Sequence, residues 1–547
     1  MRAPLVAAGL AGAVLFVVFY RSANPRADVP LRVTQAAAVD TARRFLAAEG
    51  APTGELKQGG QFSGNTVSLV FLQRSLGLAE ASRWARELVP IWSWQLRWFQ
   101  PLQKEEWQVR VGVDGVVAGF AHLVEESAPG ASLAPDSALA IAQTFLRARG
   151  WNLTELDRVE ASSEKRDKRT DHHFTWEKRG TTISWGEGEA GTGTGAVRLT
   201  VTVQGDRVGG YRRFLKVPEA FERRLTRTLA LGQVLALASF GVTFVLLLIA
   251  LGLAIARHRR GDVQWGPALR LAALLAILFV VQGITLYPSA KFGYQTELPW
   301  SVYVAGLAIL LLFVSVLYGC WALFTLAAGE SLGRETFPGS LAGFVDAALG
   351  RLRTPAVARA SVDGYALGFA FLGFLAVFYV VAQRWFGAWL PAEGPYSEIF
   401  NNTAPYLAPL TIAFVAAITE EGTFRLFGIS LVRRYLKSTA LAVVLPAMVW
   451  AFAHSNYPVF PVYLRGIELT IGGVILGLAF LRLGLLTCIV AHYVVDAVLI
   501  GIPLLTSGNP AYFASGLVVM GLALVPAALG LPASSPIHSP FTRPAGT

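Results

Sequence analysis

Six side chains with the means to move protons or hold charge stand where the chain is otherwise apolar: Glu420, Glu421 and Arg425 in one hydrophobic run, His454 in the next, and His492 with Asp496 in a later one. Polar groups of this kind are costly inside a membrane span, so they face the protein interior and mark function. A carboxylate and an imidazole in a secluded pocket are the parts needed to take a proton from water and return it to a leaving group. Two of the seven histidines of the chain lie in this cluster. The pattern reads as a hydrolytic site within the bilayer.

Depth tests whether these groups can meet. At 1.5 Å rise per residue, Glu420 lies roughly 20 Å from the basic end of its run at Arg433, His454 roughly 25 Å from Lys437, and His492 roughly 15 Å from Arg482. Within the tilt of real spans these levels coincide. Residues four apart share a helix face, so Glu421 can pair with Arg425, and His492 stands over Asp496. Glu420 is turned about 100° from Glu421 on a helix, which leaves one carboxylate for structure and the other for chemistry.

The elements that must position these groups are read from hydropathy. Of 547 residues, 54% are hydrophobic and only 15% charged, too apolar for an ordinary soluble protein. The fold class expected is an all-α polytopic membrane bundle joined to an α+β domain. Leu5 to Tyr20, flanked by Arg2 and Arg21, is an uncleaved N-terminal anchor over residues 1–22. Nine further runs are long enough to cross: Leu229–Ala256, Trp265–Tyr287, Trp300–Ala328, Gly364–Ala382, Leu407–Val432, Thr439–Phe460, Gly466–Phe480, Leu485–Ile502 and Ala511–Leu529. Residues 228–400 are accessory spans, 401–531 the catalytic part and 532–547 a flexible tail. Arginine-rich loops fall on alternate turns, which places residues 23–227 outside the cytoplasm of a bacterial plasma membrane. The net charge of +11 is scattered rather than striped, so no nucleic-acid partner is expected. Two cysteines in apolar runs build neither a disulfide framework nor a zinc site.

Residues 23–227 read as two copies, about 30–128 and 130–220, of one helix on a small antiparallel sheet. The helices are Ala38–Gly50 and Ala138–Gly150, each with a glycine stop. The clearest strands are Val109–Val113 and Arg198–Val203, ended by Asp114-Gly115 and Gln204-Gly205. Gly119-Phe120 and Gly210-Tyr211 close the copies. Glu164–Arg169 and Gly186–Gly195 read as exposed loops. His172-His173 reads as a solvated pair ahead of a strand, with metal binding the lesser alternative. The unit is similar to small repeats found beside bacterial membrane peptidases.

Three motifs in order, Glu420-Glu421-x-x-x-Arg425, Trp450-x-x-x-His454 and His492-x-x-x-Asp496, resemble the CPBP family, the CAAX-protease and bacteriocin-processing group of intramembrane peptidases. Trp450 replaces the usual Phe and Asp496 the commoner Asn. The resemblance covers about Leu407–Ile502 and implies peptide-bond hydrolysis of a peptide or protein substrate, a lipidated one being an option the family offers. By position, Glu420 and His454 activate water, His492 and Asp496 stabilise the oxyanion and orient the imidazole, and Glu421 with Arg425 and Trp450 supports the site. An ionised Asp496 cannot donate to an oxyanion and holds His492 as a cation instead. Members are often labelled metalloproteases, and Glu420, His454 and His492 are a conceivable set for a divalent metal such as zinc. Absence of His-Glu-x-x-His, Gly-x-Ser-Gly and Gly-x-Gly-Asp disfavours other protease classes. A non-catalytic scaffold or immunity protein of the same fold and an ion-coupled transporter are the rival readings; the transporter predicts repeated transmembrane halves, which the sequence lacks. Glu468 near Arg465 reads as a structural ion pair.

Overall fold

A computed structural model describes residues 2–186, 192–392 and 397–529; the expected tail at 532–547 lies outside the described residues. The chain opens with α1 (Arg2–Ala23) and α2 (Gln35–Ala48), the latter started by the Thr34 side chain accepting from the Ala37 amide. Then come β1 (Lys57–Gly64), α3 (Thr66–Leu76), α4 (Leu78–Glu87), β2 (Trp92–Phe99), β3 (Glu106–Gly112) and β4 (Val117–Leu123). After α5 (Pro135–Ala148) follow β5 (Leu156–Lys165), β6 (Thr170–Lys178), β7 (Ile183–Gly186), β8 (Thr192–Gln204) and β9 (Arg207–Lys216).

All strands pair antiparallel, in the order β1-β2-β3-β4-β9-β8-β6-β5, with β7 on β8. Gly119, Phe120 and Ala121 of β4 face Arg212, Tyr211 and Gly210 of β9, so the two glycine-aromatic pairs singled out in the sequence meet across the middle of one sheet. The helix stops and turns lie at Gly50, Gly150, Gly115 and Gly205, all at positive φ, where a side chain would be strained. At the ends of α2 and α5, Arg149 bonds Glu49 at 2.9 Å and lies over the Phe45 ring at 4.1 Å.

Four local expectations are corrected here. The first half carries two extra helices, α3 and α4, between its strands rather than a single helix on a sheet. His172 and His173 lie within β6, not before it, and His172 is buried, bonded to Ser163 Oγ at 2.7 Å and to the Leu133 carbonyl at 3.0 Å. A buried polar ring must find such partners. Glu164 and Lys165 belong to β5, and Arg169 is buried, donating to Asp171 and to the Glu125 and Ala128 carbonyls at 2.9 and 2.8 Å. Thr192–Gly195 is strand, paired with β7, while 187–191 lies outside the described residues.

The bundle follows: α6 (Glu219–His258), α7 (Trp265–Thr285), α8 (Tyr287–Phe292), α9 (Trp300–Thr336), α10 (Ala342–Ala348), α11 (Pro355–Trp385), α12 (Ser397–Phe400) and α13 (Leu407–Glu420). A π-helical stretch, Glu421–Gly428, joins α13 to α14 (Ile429–Leu436). The chain ends in α15 (Thr439–Phe452), α16 (Leu464–Leu483), α17 (Leu485–Leu505), α18 (Pro510–Ala523) and α19 (Val525–Leu529). Among the described residues nine helices are long and apolar enough to cross a membrane, α1 included, which makes this an integral membrane protein.

The expected span Thr439–Phe460 is the exception, because its helix ends at Phe452 after 14 residues. At 1.5 Å per residue that is about 21 Å, short of a bilayer core of about 30 Å. Residues 453–463 continue without regular helix. Irregular backbone at that depth is tolerated only where protein or a wet cavity surrounds it, and His454, Asn456 and Tyr457 do line a cavity.

Small residues bring the helices together, as they must where lipid offers no hydrophobic drive. A Cβ on Gly9 of α1 would sit 2.7 Å from the Ala366 backbone of α11, and one on Gly329 of α9 would meet Leu426 at 2.8 Å. The sheet is seated on the bundle by polar contacts as well. Gln73 exchanges two 2.9 Å bonds with the Ala392 backbone, Arg97 donates to the Phe292 carbonyl at 3.0 Å, and Asn509 donates to the Arg32 carbonyl at 3.0 Å.

Candidate active site

Glu420 ends α13 and Glu421 opens the π-helical stretch, a form whose i→i+5 bonds are rare and found mostly at functional sites. All eight residues of that stretch are buried. It is fixed from α9, where Trp321 donates to Thr423 Oγ1 at 2.8 Å, while Thr423 itself donates to the Thr419 carbonyl at 2.6 Å. Both hydroxyl bonds hold the backbone that aims the two glutamates.

The two carboxylates diverge as their rotation requires. Glu421 has no exposed side-chain surface, lies 3.1 Å from Arg425, and accepts from His492 Nδ1 at 2.7 Å. Arg425 is likewise buried, with its guanidinium over the Trp450 ring at 4.1 Å and no aligned hydrogen-bond acceptor for Nη1 or Nη2 among the described residues. The pair is held by charge and by the aromatic face rather than by a fork of hydrogen bonds. Glu420 keeps 22% of its side chain exposed and accepts from Trp450 Nε1. Its Oε2 lies 3.8 Å from His492 Nε2.

His492, in α17, therefore has a carboxylate at each nitrogen: Glu421 at Nδ1, and Asp496 at 3.4 Å from Nε2 one turn further on. His454 sits two residues past the end of α15 rather than within a span, a correction to its expected place, and its ring is 5.6 Å from that of Trp450. Its Nδ1 is 2.9 Å from the Trp450 carbonyl. A carbonyl can only accept, so Nδ1 carries the proton in a neutral ring and Nε2 is left as a lone pair.

Glu420, Trp450, His454, His492 and Asp496 line one cavity of about 780 Å³, a size suited to a ligand site. Glu421 and Arg425 stand behind it. The cavity also reaches four residues of the sheet-bearing half, Gly64, Thr66, Leu69 and Trp92, which hydropathy and motif could not have assigned to it. Arg465 lines it too, bonded at 2.7 Å to Glu468 of α16, which is fully buried and also accepts from the Tyr379 hydroxyl at 2.8 Å. An in-span carboxylate was the available signal for this second cluster, and its Arg465 partner was read only as structural.

The conceivable zinc donors do not form an ion-binding set. Glu421 takes up Nδ1 of His492, and among the described residues no group of three His, Cys, Asp or Glu side chains could hold a metal ion.

Residues 402–498 match the family model of type II CAAX prenyl endopeptidases, Rce1-like. Over 106 residues the chain is 26% identical to the sporulation-killing factor biosynthesis protein SkfC of Bacillus subtilis, a match that covers 19% of this chain and 21% of that relative. The chain thus spans about a fifth of the length of that curated relative. No solved structure matches the chain at a significant level. The stretch of this membrane protein that holds the three ordered motifs, residues 402–498, is thus the one that is similar to Rce1-like, type II CAAX prenyl endopeptidase domains.

Proposed function

We propose that the protein is an intramembrane endopeptidase in which Glu420 activates a water in the cavity between α13, α15 and α17. The observation that carries the reading is that Glu420, His454 and His492, which come from three separate elements, line one hollow inside the bundle. Of the two glutamates, only Glu420 faces it with free surface. Its carboxylate takes a proton from water that also donates to the Nε2 lone pair of His454, and the resulting hydroxide attacks the scissile carbonyl. His492, held between Glu421 and Asp496, presents its Nε2–H to the developing oxyanion. Glu420 then returns the proton to the leaving amine, which balances one water against one peptide bond.

Glu421 and Arg425 support the site from behind: they fix the His492 ring and carry no proton. The substrate is a peptide or protein reached from the membrane; neither lipidation nor a cleavage motif is assigned. The loop charges favour an orientation with residues 23–227 outside the cytoplasm, and the two-fold order of the sheet, β1 to β4 against β5, β6, β8 and β9, favours a duplicated origin for that part.

The test is full-length protein in detergent, assayed on a panel of peptides drawn from membrane proteins, beside Glu420→Gln. Cleavage by the wild type that the variant lacks supports the reading. Equal cleavage by both removes Glu420 from the mechanism, and a folded wild type that cleaves nothing turns the assignment toward a non-catalytic role.

A further inference from the structure

A second cavity, of about 460 Å³, opens at the other end of the bundle, between the start of α1, α10, the first turns of α11 and the α16–α17 turn. That end is opposite the sheet, since α1 begins here at Arg2 and delivers the chain to the sheet-bearing half after Ala23. Its charged lining is three arginines, Arg2, Arg359 and Arg482, and one carboxylate, Asp363. Asp363 Oδ1 lies 3.9 Å from Arg2 Nε, near enough for charge attraction alone, and accepts no hydrogen bond from a described residue; its side chain is 11% exposed. Arg359 bonds only the Pro355 carbonyl of its own helix, through Nε at 3.0 Å, and Arg482 makes no hydrogen bond or ion pair with a described residue. Three guanidiniums thus border one hollow against a single carboxylate, an excess of two positive charges.

The depth is that of lipid headgroups. Asp363 immediately precedes the apolar run of α11 that begins at Gly364, and Arg482 stands two residues before the Gly484 turn. Gly343 and Gly484 let the backbone segments of the wall approach closely, since a Cβ on Gly484 would lie 2.7 Å from the Ser340 carbonyl and one on Gly343 3.2 Å from that of Ala356, while Gly339 borders open space. Guanidiniums match phosphate oxygens in shape and charge, and basic pockets between spans at the membrane surface are built to take anionic headgroups. We infer that this cavity binds a phosphate-bearing anion, the headgroup of an acidic phospholipid, and that the bound phosphate ties α1 to α11 and the α16–α17 turn. It uses none of the residues assigned to hydrolysis and does not depend on that activity.

The test uses the purified full chain in phosphatidylcholine nanodiscs, with the thermal midpoint and lipid retention in native mass spectrometry followed as phosphatidylglycerol, further phosphatidylcholine or inorganic phosphate is added. Phosphatidylglycerol is expected to raise the midpoint and to be retained, and phosphatidylcholine to do neither. Arg482→Ala, which removes no hydrogen bond or ion pair of the fold, should weaken retention about fivefold, and Arg359→Ala with Arg482→Ala about thirtyfold. A response to inorganic phosphate with the same arginine dependence would support the phosphate site while assigning it to any such anion. Phosphatidylglycerol retention that is unchanged in Arg482→Ala would overturn the proposal, whether or not the double variant folds.

Discussion

Two buried acid–arginine clusters border the same cavity, and they differ in what they leave over. Around Glu468, both neighbours point inward: Arg465 and Tyr379 converge on one carboxylate oxygen at 2.7 and 2.8 Å, and the residues flanking Glu468 in the chain, Ile467 and Leu469, are apolar. Around Glu421 the arginine and the His492 imidazole likewise converge, but the adjacent Glu420 is turned toward the cavity, with the Trp450 indole N–H as its hydrogen-bond donor and His492 Nε2 3.8 Å away. A buried ion pair alone is weak support for function, since its desolvation cost cancels much of its attraction. The unspent carboxylate beside the pair is what separates a site from a strut.

That contrast is broken most directly by exchanging the free carboxylate. Glu420→Gln keeps the shape and the Trp450 contact, so the thermal midpoint should move little while cleavage falls about 10²- to 10⁴-fold, the range for a lost general base. A large drop in midpoint instead would make Glu420 a strut like Glu468. Glu421→Gln should act on both measures: it frees His492 and leaves Arg425 as an unpaired buried cation, a loss of about 3–5 kcal/mol together with loss of cleavage. Asp496→Asn sharpens the division further. Asp496 is 26% exposed and meets His492 from the cavity side, so the midpoint should hold while cleavage changes by roughly 10- to 100-fold, as for a partner that orients another group. Glu468→Gln is the opposite case, with a lower midpoint and cleavage within about tenfold, because it touches no reacting group.

How much of this was legible in the sequence depends on the kind of information each feature carries. Glu420, Glu421, His454, His492 and Asp496 could be brought to one level from charge, hydropathy and helical rise, because lipid makes every in-span polar residue conspicuous. The two glycine-stopped helices and the turns at Gly115 and Gly205 were legible for a related reason, since positive φ leaves few residue choices. The break after Phe452 had a signal that the span length overrode: Ser455, Asn456 and Pro458 are turn residues, and packing around the cavity, including Gly232 of α6 against the Ser455 carbonyl, shows that the helix need not continue. Hydropathy also could not show that Leu69 and Trp92 reach the cavity, because long-range docking leaves no periodic trace. His172 was misread as solvated for the same reason; its partners, Ser163 and Leu133, come from other strands and loops.

The smallest effect expected is from chelation, and it bears on the same contrast. If a divalent ion were held by Glu420, His454 and His492, the unspent carboxylate would be a ligand rather than a base, and removing the ion would abolish cleavage and loosen all three elements. The arrangement argues otherwise. His492 donates to Glu421 from Nδ1 at 2.7 Å, and the Nε2–H that the hydrolytic reading offers to the oxyanion leaves no lone pair on that nitrogen for a metal. Dialysis of the full-length protein against EDTA should therefore leave both cleavage and thermal midpoint unchanged. Loss of cleavage restored by zinc, with Glu420→Gln failing to retain the ion, would replace the free base with a bound metal and redraw the line between the two clusters.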